Sequence, residues 1–242
     1  MTKVSIITVC YNSAQTIGQT IASVLGQSYP NIEYLVIDGQ STDGTVDIIK
    51  EYEPLFEGRM HWVSEKDEGI YDAMNKGIRM VSGELIGVIN SDDYYEEHAV
   101  ETMVNAMTEE KYQILYGAVR SWKNGKEESV ALLSHEFLRE RMIGHPACFV
   151  TKSVYEDFGV YDTKYTSVAD YDFMLRMYEN KKVKFYPVNH VIANFRAGGM
   201  CSTDAAYLDL VKMQREWELI SAYQYRKIML ISRLYHLFRR DK

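Results

Sequence analysis

Leu85-Ile86-Gly87-Val88-Ile89 runs without polar interruption straight into Asn90-Ser91-Asp92-Asp93. A strand apolar on both faces belongs inside a sheet covered on both sides, the parallel sheet of an α/β domain. In that architecture ligands gather just beyond the carboxyl ends of the strands. Two adjacent aspartates placed there repel one another and lose solvent unless a cation joins them. A hard dication, Mg2+ or Mn2+, suits the position and takes its remaining oxygens from water and substrate phosphates. Read alone, the same pair is equally a strand-ending turn that caps the next helix.

The rest of the first half repeats this unit. Val4 to Cys10 is a β-branched run, and Ser13 to Gly26 sets Ile17, Ile21, Val24 and Leu25 at helical spacing. Ile32 to Ile37 predicts a second strand ending at Asp38-Gly39, and Thr45 to Tyr52 a helix after the turn-rich Gln40 to Gly44. Met60 to Val63 reads as a short strand. Ile70, Met74, Ile78 and Val81 form one apolar helical stripe, which Ser82-Gly83 stops. Alternating strands and helices predict a doubly wound, mostly parallel central sheet flanked by helices. In the second half Asn124-Gly125 marks a hairpin between Gln113–Trp122 and Glu127–Leu133. The organisation expected is one domain over residues 1–202 and a helical extension over 203–242.

Composition excludes more than it identifies. A net charge of −7 argues against a nucleic-acid binder. Three widely spaced cysteines, Cys10, Cys148 and Cys201, offer neither a zinc pattern nor a disulfide framework. The chain enters a strand almost at once with no secretory segment before it, and no stretch approaches the roughly 20 apolar residues of a membrane span. A cytoplasmic setting is expected. The charge is uneven, however. From Gln224 onward six basic residues oppose one acid, a tail of +5 on a body of −12.

Polar clusters end the apolar strands: Thr8 with Tyr11-Asn12, Asp38-Gly39, Glu65-Lys66-Asp67, and Asn90 to Asp93. A doubly wound sheet brings such ends to one edge, so they converge on one crevice. Tyr11 offers a ring to stack on a nucleobase and Asp38 an acceptor for an imide N–H. No G-x-G-x-x-G or G-x-x-x-x-G-K-[ST] loop is present, so diphosphate neutralisation falls to a metal at Asp92.

Val4 to Asn12, Val36 to Thr45, Asp67 to Gly77, Asn90 to Asp93 and Ala169-Asp170-Tyr171-Asp172, in this order and spacing, resemble glycosyltransferase family 2 over residues 4 to about 200. The resemblance implies a GT-A fold and inverting transfer from a nucleotide-diphosphate sugar, UDP-linked, to a glycan or lipid-linked acceptor in bacterial surface-polysaccharide synthesis. It implies that Thr8, Tyr11 and Asp38 hold base and ribose, and that Asp67, Asn75 and Lys76 lie on the segment closing around the nucleotide. Asn75 and Lys76 are otherwise part of a solvated helix face with Asp72 and Arg79. Asn90-Ser91-Asp92 stands where the family usually has Asp-x-Asp. Asn90 and Ser91 then belong to the donor site, and Asp92, supported by Asp93, to the Mg2+ or Mn2+ site.

Asp170 matches the family's general base, with Asp172 second to it; the helix-capping alternative for Asp170 stays open. The acid usually preceding the base is Ala169 here. His145 is expected near the acceptor side, and Arg196, on the loop Arg196 to Ser202, opposite the leaving diphosphate. Residues 225–240 interleave apolar and basic side chains. That suits a helix lying on an anionic inner-leaflet surface, a helix docked on the core, or a homodimer contact. Two other functions compete. A sugar nucleotidyltransferase would need a Gly/Arg/Lys-rich phosphate loop, which the Tyr11-Asn12-Ser13 region does not have. A non-catalytic sugar-nucleotide binder would explain Asn90 and Ala169.

Overall fold

The computed structural model describes residues 1–198 and 203–239, with side chains described through Ser232. Strands β1 (Val4–Cys10), β2 (Ile32–Asp38), β3 (Met60–Ser64) and β4 (Leu85–Asn90) alternate with helices α1 (Ile17–Leu25), α2 (Thr45–Tyr52) and α3 (Ile70–Met80). The four strands pair in parallel in the order β3-β2-β1-β4, which is the doubly wound half expected. There follow β5 (Tyr94–Tyr95), α4 (Ala99–Asn105), β6 (Gln113–Lys123), β7 (Lys126–Ala131), β8 (Cys148–Thr151), α5 (Lys152–Phe158) and α6 (Ala169–Glu179). The 13-residue β9 (Lys184–Arg196), α7 (Asp204–Glu216) and α8 (Ala222–Arg239) complete the chain. β8 runs antiparallel to β4 and β6, β6 is parallel to β9, and β5 and β7 add antiparallel edges. The β6–β7 turn carries positive φ at Asn124 (52°) and Gly125 (73°), the backbone a two-residue hairpin needs.

Alternation along each strand divides the core between the two faces. Ile7, Val9, Ile37, Ile86 and Val88 face Tyr71, Met74 and Ile78 of α3 and Phe173, Met174 and Met177 of α6. Ile6, Val36, Leu85 and Ile89 face Ile17, Ile21 and Val24 of α1, Ile49 of α2, and Val100 and Met103 of α4. Gly77 lets α3 approach β1 so closely that a Cβ there would lie 2.6 Å from Ile7 Cγ2.

At the amino-terminal edge of the sheet Glu33 staples three segments. It accepts from Ser5 Oγ (2.6 Å), Ser82 N (2.9 Å) and Lys3 Nζ (2.9 Å). Burial alone would raise its pKa, but these donors outweigh it and hold the carboxyl down to about 2.

The two helices after residue 203 behave differently. Asp209 of α7 is buried and accepts from Thr166 N (2.8 Å) and Ser167 N (3.1 Å), while Val211 and Met213 enter the core. α7 is therefore packed onto the body of the molecule, beside the segment that leads into α6. On α8, by contrast, Tyr223, Leu230 and Ile231 are 75%, 59% and 56% exposed, with Arg226 and Lys227 exposed beside them. Gly199 to Ser202, Arg240 to Lys242 and the side chains from Arg233 on, parts of the loop and tail singled out from sequence, lie outside the described residues.

Candidate active site

Register sets the frame. β1 pairs Cys10 with Asp38 on one side and Val9 with Asn90 on the other. At the usual strand spacing three strand tips therefore sit within about 10 Å. The segment after β1 joins them: Ser13 Oγ meets Ser91 Oγ at 2.8 Å, and Asn12 Oδ1 accepts from Thr42 N at 2.9 Å.

On the β1–β2 side Tyr11 is 65% exposed, its ring open to a ligand. Gly39 lies beside it and has no side chain to fill the notch. A Cβ at position 39 would stand 2.8 Å from Asp67 Oδ2 and 3.4 Å from Tyr11 Cδ2. Tyr11 and Asp67 thus face each other across Gly39. Asp67 Oδ1 also accepts from Gly69 N (3.1 Å), fixing the approach to α3. Asp38 is a correction to the sequence reading. It is fully buried, its carboxylate taken up by the Ser41 hydroxyl, Ser41 N (3.0 Å), Ser64 Oγ (2.6 Å) and the Cys10 thiol (3.5 Å). It shapes the turn beneath the notch and presents no free acceptor to a base. Thr8 is another correction: it is fully buried inside β1, its hydroxyl accepting from Tyr34 Oη at 3.0 Å. Asn75 and Lys76 are also engaged internally. Asn75 clamps the Tyr161 backbone through Nδ2 to the carbonyl (2.8 Å) and Oδ1 from the N–H (3.0 Å), and Lys76 pairs with Glu65 at 2.6 Å.

At the β4 tip, Asn90 to Asp93 form a turn closed by Asp93 N on the Asn90 carbonyl (3.1 Å). α4 begins only at Ala99, with His98 at its N-cap, so this turn is not a helix cap. Asp92 is half-buried, and burial pushes its pKa up against the pull of its own N–H and of Arg196. Asn90 Oδ1 is buried without a partner among the described residues. Asp93 is fully enclosed; its Oδ1 accepts from Arg196 N (2.9 Å), its Oδ2 is unpartnered, and burial with the neighbouring Asp92 charge raises its pKa well above the ordinary value. Burial with repulsion is the condition a dication relieves. Among the described residues no three His, Cys, Asp or Glu side chains cluster as a cage. The turn thus offers only hard oxygens, the half-exposed Asp92 foremost, with the unpartnered Asn90 Oδ1 and Asp93 Oδ2 enclosed in the same turn, which fits Mg2+ or Mn2+ completed by phosphate and water. Arg196 braces this turn instead of standing free opposite a diphosphate: its guanidinium donates to the Asp92 carbonyl and to Gln19 Oε1 and lies 5.5 Å over the Tyr94 ring. Ser91, buried and bonded to Ser13, anchors the turn.

Beyond β4 lies Asp170, in the first turn of α6. The N-cap is Val168, so Asp170 is not a capping residue. One carboxylate oxygen, Oδ1, accepts from Tyr71 Oη of α3 at 2.8 Å. Asp172 is excluded as an alternative base, because it is buried with Oδ2 on Arg176 Nε (2.9 Å) and Oδ1 on Trp217 Nε1 (2.9 Å). His145 is also buried, its Nε2 on Tyr161 Oη (3.1 Å) and its pKa lowered by burial, so it is a neutral core histidine behind Asp170. Tyr71 escaped the sequence reading. The apolar stripe through Ile70, Met74 and Ile78 marks the neighbouring helix face, and the signal for Tyr71 in the sequence is the Gly69-Ile70-Tyr71-Asp72 start, which sets a phenol one residue inside the helix.

Comparison with known proteins bears on the fold and the family. A PGL/p-HBAD biosynthesis glycosyltransferase of Mycobacterium tuberculosis is 28% identical over 202 residues, 82% of this chain and 79% of that protein. A putative teichuronic acid biosynthesis glycosyltransferase of Bacillus subtilis, TuaG, is 38% identical over 107 residues, 44% of this chain and 42% of its own. Among solved structures, residues 1–349 of Staphylococcus aureus TarS with UDP-GlcNAc superpose with a TM-score of 0.71 at 19% identity, over 87% of this chain and 64% of that one. The mannosyltransferase PcManGT of Pyrobaculum calidifontis, with GDP-Man and Mn2+, gives 0.63 at 19%, over 91% and 65%. The shared architecture is the GT-A-like curled sheet. The model of glycosyl transferase family 2 matches residues 5–186, and the chain belongs to that family.

Proposed function

We propose that the protein is an inverting glycosyltransferase that moves a sugar from a UDP-linked donor to a hydroxyl of a glycan or lipid-linked acceptor in surface-polysaccharide synthesis. The observation that carries this reading is Asp92: a half-buried carboxylate at the tip of the central strand, its pKa raised by burial, with no described side chain donating to it. Names and titles among the relatives support the substrate class, teichuronic acid synthesis for TuaG and bound UDP-GlcNAc for TarS.

In this reading Tyr11 stacks on the base and Asp67, across Gly39, accepts its N–H, a role the sequence reading gave to Asp38. Asp92, with Asn90 Oδ1 and Asp93 Oδ2 in the same turn, would hold Mg2+ or Mn2+; PcManGT was solved with Mn2+. When bound, the ion neutralises charge on the leaving diphosphate. Asp170 takes the proton from the acceptor hydroxyl as its oxygen attacks the anomeric carbon. The bond to the diphosphate breaks on the opposite face, and the configuration inverts. The test is hydrolysis of UDP-GlcNAc with Mn2+, water standing in for the acceptor. Asp92→Ala and Asp170→Asn should each lose about 100-fold or more in rate, the range for removing a metal ligand or a general base. If both variants turn over at the parent rate, the assignment fails.

The acceptor side bears on α8. Its exposed Tyr223, Leu230 and Ile231 sit among Arg226 and Lys227, in a tail of +5 on a body of −12. We place this helix against an anionic inner-leaflet surface, a peripheral attachment near lipid-linked acceptors. No helix among the described residues is long and apolar enough to cross a membrane. Sedimentation with phosphatidylglycerol vesicles checks it: the chain should pellet at low salt, and a chain ending at Tyr223 should not.

A further inference from the structure

The one hydrogen bond that the described residues make to the Asp170 carboxylate comes from Tyr71, Oη to Oδ1 at 2.8 Å. Tyr71 is 6% exposed. Its ring packs on Tyr161 with centroids 5.6 Å apart, and the backbone of Tyr161 is itself clamped by Asn75 from the same helix. The phenol is thus held from behind by a fixed wall and has one strong acceptor. Burial and the adjacent Asp170 charge both raise its pKa, so it remains a neutral donor throughout the working range.

We propose that Tyr71 is the positioning residue for the general base. It fixes the Asp170 carboxylate in one rotamer, with Oδ1 occupied and Oδ2 turned to the acceptor hydroxyl. This deepens the reading of Asp170 given above and rests on it. Three features of the site converge here. Asp170 stands in the first turn of α6, without a partner on that helix that would orient its side chain. Donation to a carboxylate favours the charged form, and a charge-assisted O–H···O⁻ bond is among the stronger and more directional contacts a phenol makes. Tyr71 also lies two residues beyond Gly69, the N-cap of α3, whose N–H is held by Asp67, so the short stretch that opens α3 touches both the nucleotide notch and the base. Tyr71 transfers no proton and touches no reacting atom; it acts through Asp170.

Tyr71→Phe keeps the ring and its packing and removes only the donor. The experiment has two readouts. In the first, the carboxyl carbon of Asp170 is titrated by NMR in protein labelled at the aspartate carboxyl, identified by its disappearance in Asp170→Asn. No ligand is needed. Loss of the donor should move this titration to higher pH than in the parent. In the second, hydrolysis of UDP-GlcNAc with Mn2+ is followed from pH 4 to 9. Tyr71→Phe should lower kcat about 10- to 100-fold at unchanged donor KM, and its acid limb should move upward in parallel with the NMR titration, because the protonated base is inactive. Tyr71→Ala, which also removes the packing, serves as the comparison: thermal unfolding should fall clearly for it and little for Tyr71→Phe. If Tyr71→Phe leaves both titration and acid limb where they were, Tyr71 is only a packing residue and the proposal is wrong. If Asp170→Asn hydrolyses donor as the parent does, the base assignment falls and takes the role of Tyr71 with it; the two failures are told apart by which variant is silent.

Discussion

Gly39→Ala tests the nucleotide notch without touching any group assigned to chemistry. The added Cβ would lie 2.8 Å from Asp67 Oδ2, where ordinary contact begins near 3.4 Å, so the carboxylate must retreat by about 0.6 Å; Tyr11 Cδ2, at 3.4 Å, need not move. The displaced atom is the far end of a half-exposed side chain, and Gly39 does not lie at positive φ, so the fold absorbs the methyl easily. A compatible Gly→Ala change even gains a little from the unfolded chain, about 0.4–1 kcal/mol. The thermal midpoint should therefore stay within about 3 °C of the parent. Binding is affected differently. A hydrogen bond from a base N–H to a carboxylate contributes about 1.5–3 kcal/mol, and its loss raises Kd about 10- to 100-fold. Titration calorimetry of UDP with Mn2+ present reads this directly, with Asp67→Asn alongside as the variant that should lose affinity by the same route. Full UDP affinity in Gly39→Ala would refute the reasoning, since the carboxylate could not then be the base acceptor at that spot. An equal loss in Asp38→Asn with an unchanged melting curve would return the role to Asp38.

Gly77→Ala places its Cβ 2.6 Å from Ile7 Cγ2 and should behave oppositely: overpacking of about 1–3 kcal/mol, seen as a lower melting temperature with UDP affinity retained in the folded protein. Asp93 carries a raised pKa, so the folded state holds its proton more tightly than the unfolded state, and stability falls as pH rises from 3.8 toward the folded value. Asp93→Asn should therefore melt higher than the metal-free parent at neutral pH, with the advantage vanishing below about pH 4; a lower melting point at neutral pH would contradict this. Glu33 has the reverse sign, because its pKa is depressed from 4.5 to about 2. Glu33→Gln should destabilise the protein above pH 4.5 and converge on the parent as the pH falls toward 2, as urea midpoints across that range will show.

Local signals placed most elements of the first half. Thr45–Tyr52 is a helix between the bounds read from sequence, and the strands at Ile32 and Met60 each extend one residue further than expected. These segments carry strong periodicity between turn residues, so propensity and tertiary packing agree. The long β9 was not anticipated. Its pairing with β6 spans dozens of residues, and no local pattern reports a partner so distant in sequence.

The sequence by itself determined the fold class, the family and the strand tip that carries Asp92, because unbroken apolar runs, their spacing and the residues ending them are properties of the chain order alone. Tertiary structure alone decided which polar side chains are free to act. Thr8 and Asp38 belong to strands buried on both faces, where alternation does not show which residue is consumed internally; Tyr34, Ser41 and Ser64 consume these two. Asp67 gains its place because a residue 28 positions earlier has no side chain. Tyr71 meets Asp170 across 99 residues of sequence. Hydrogen-bond satisfaction is a sum over neighbours brought together by packing, and that sum cannot be taken before the sheet is assembled.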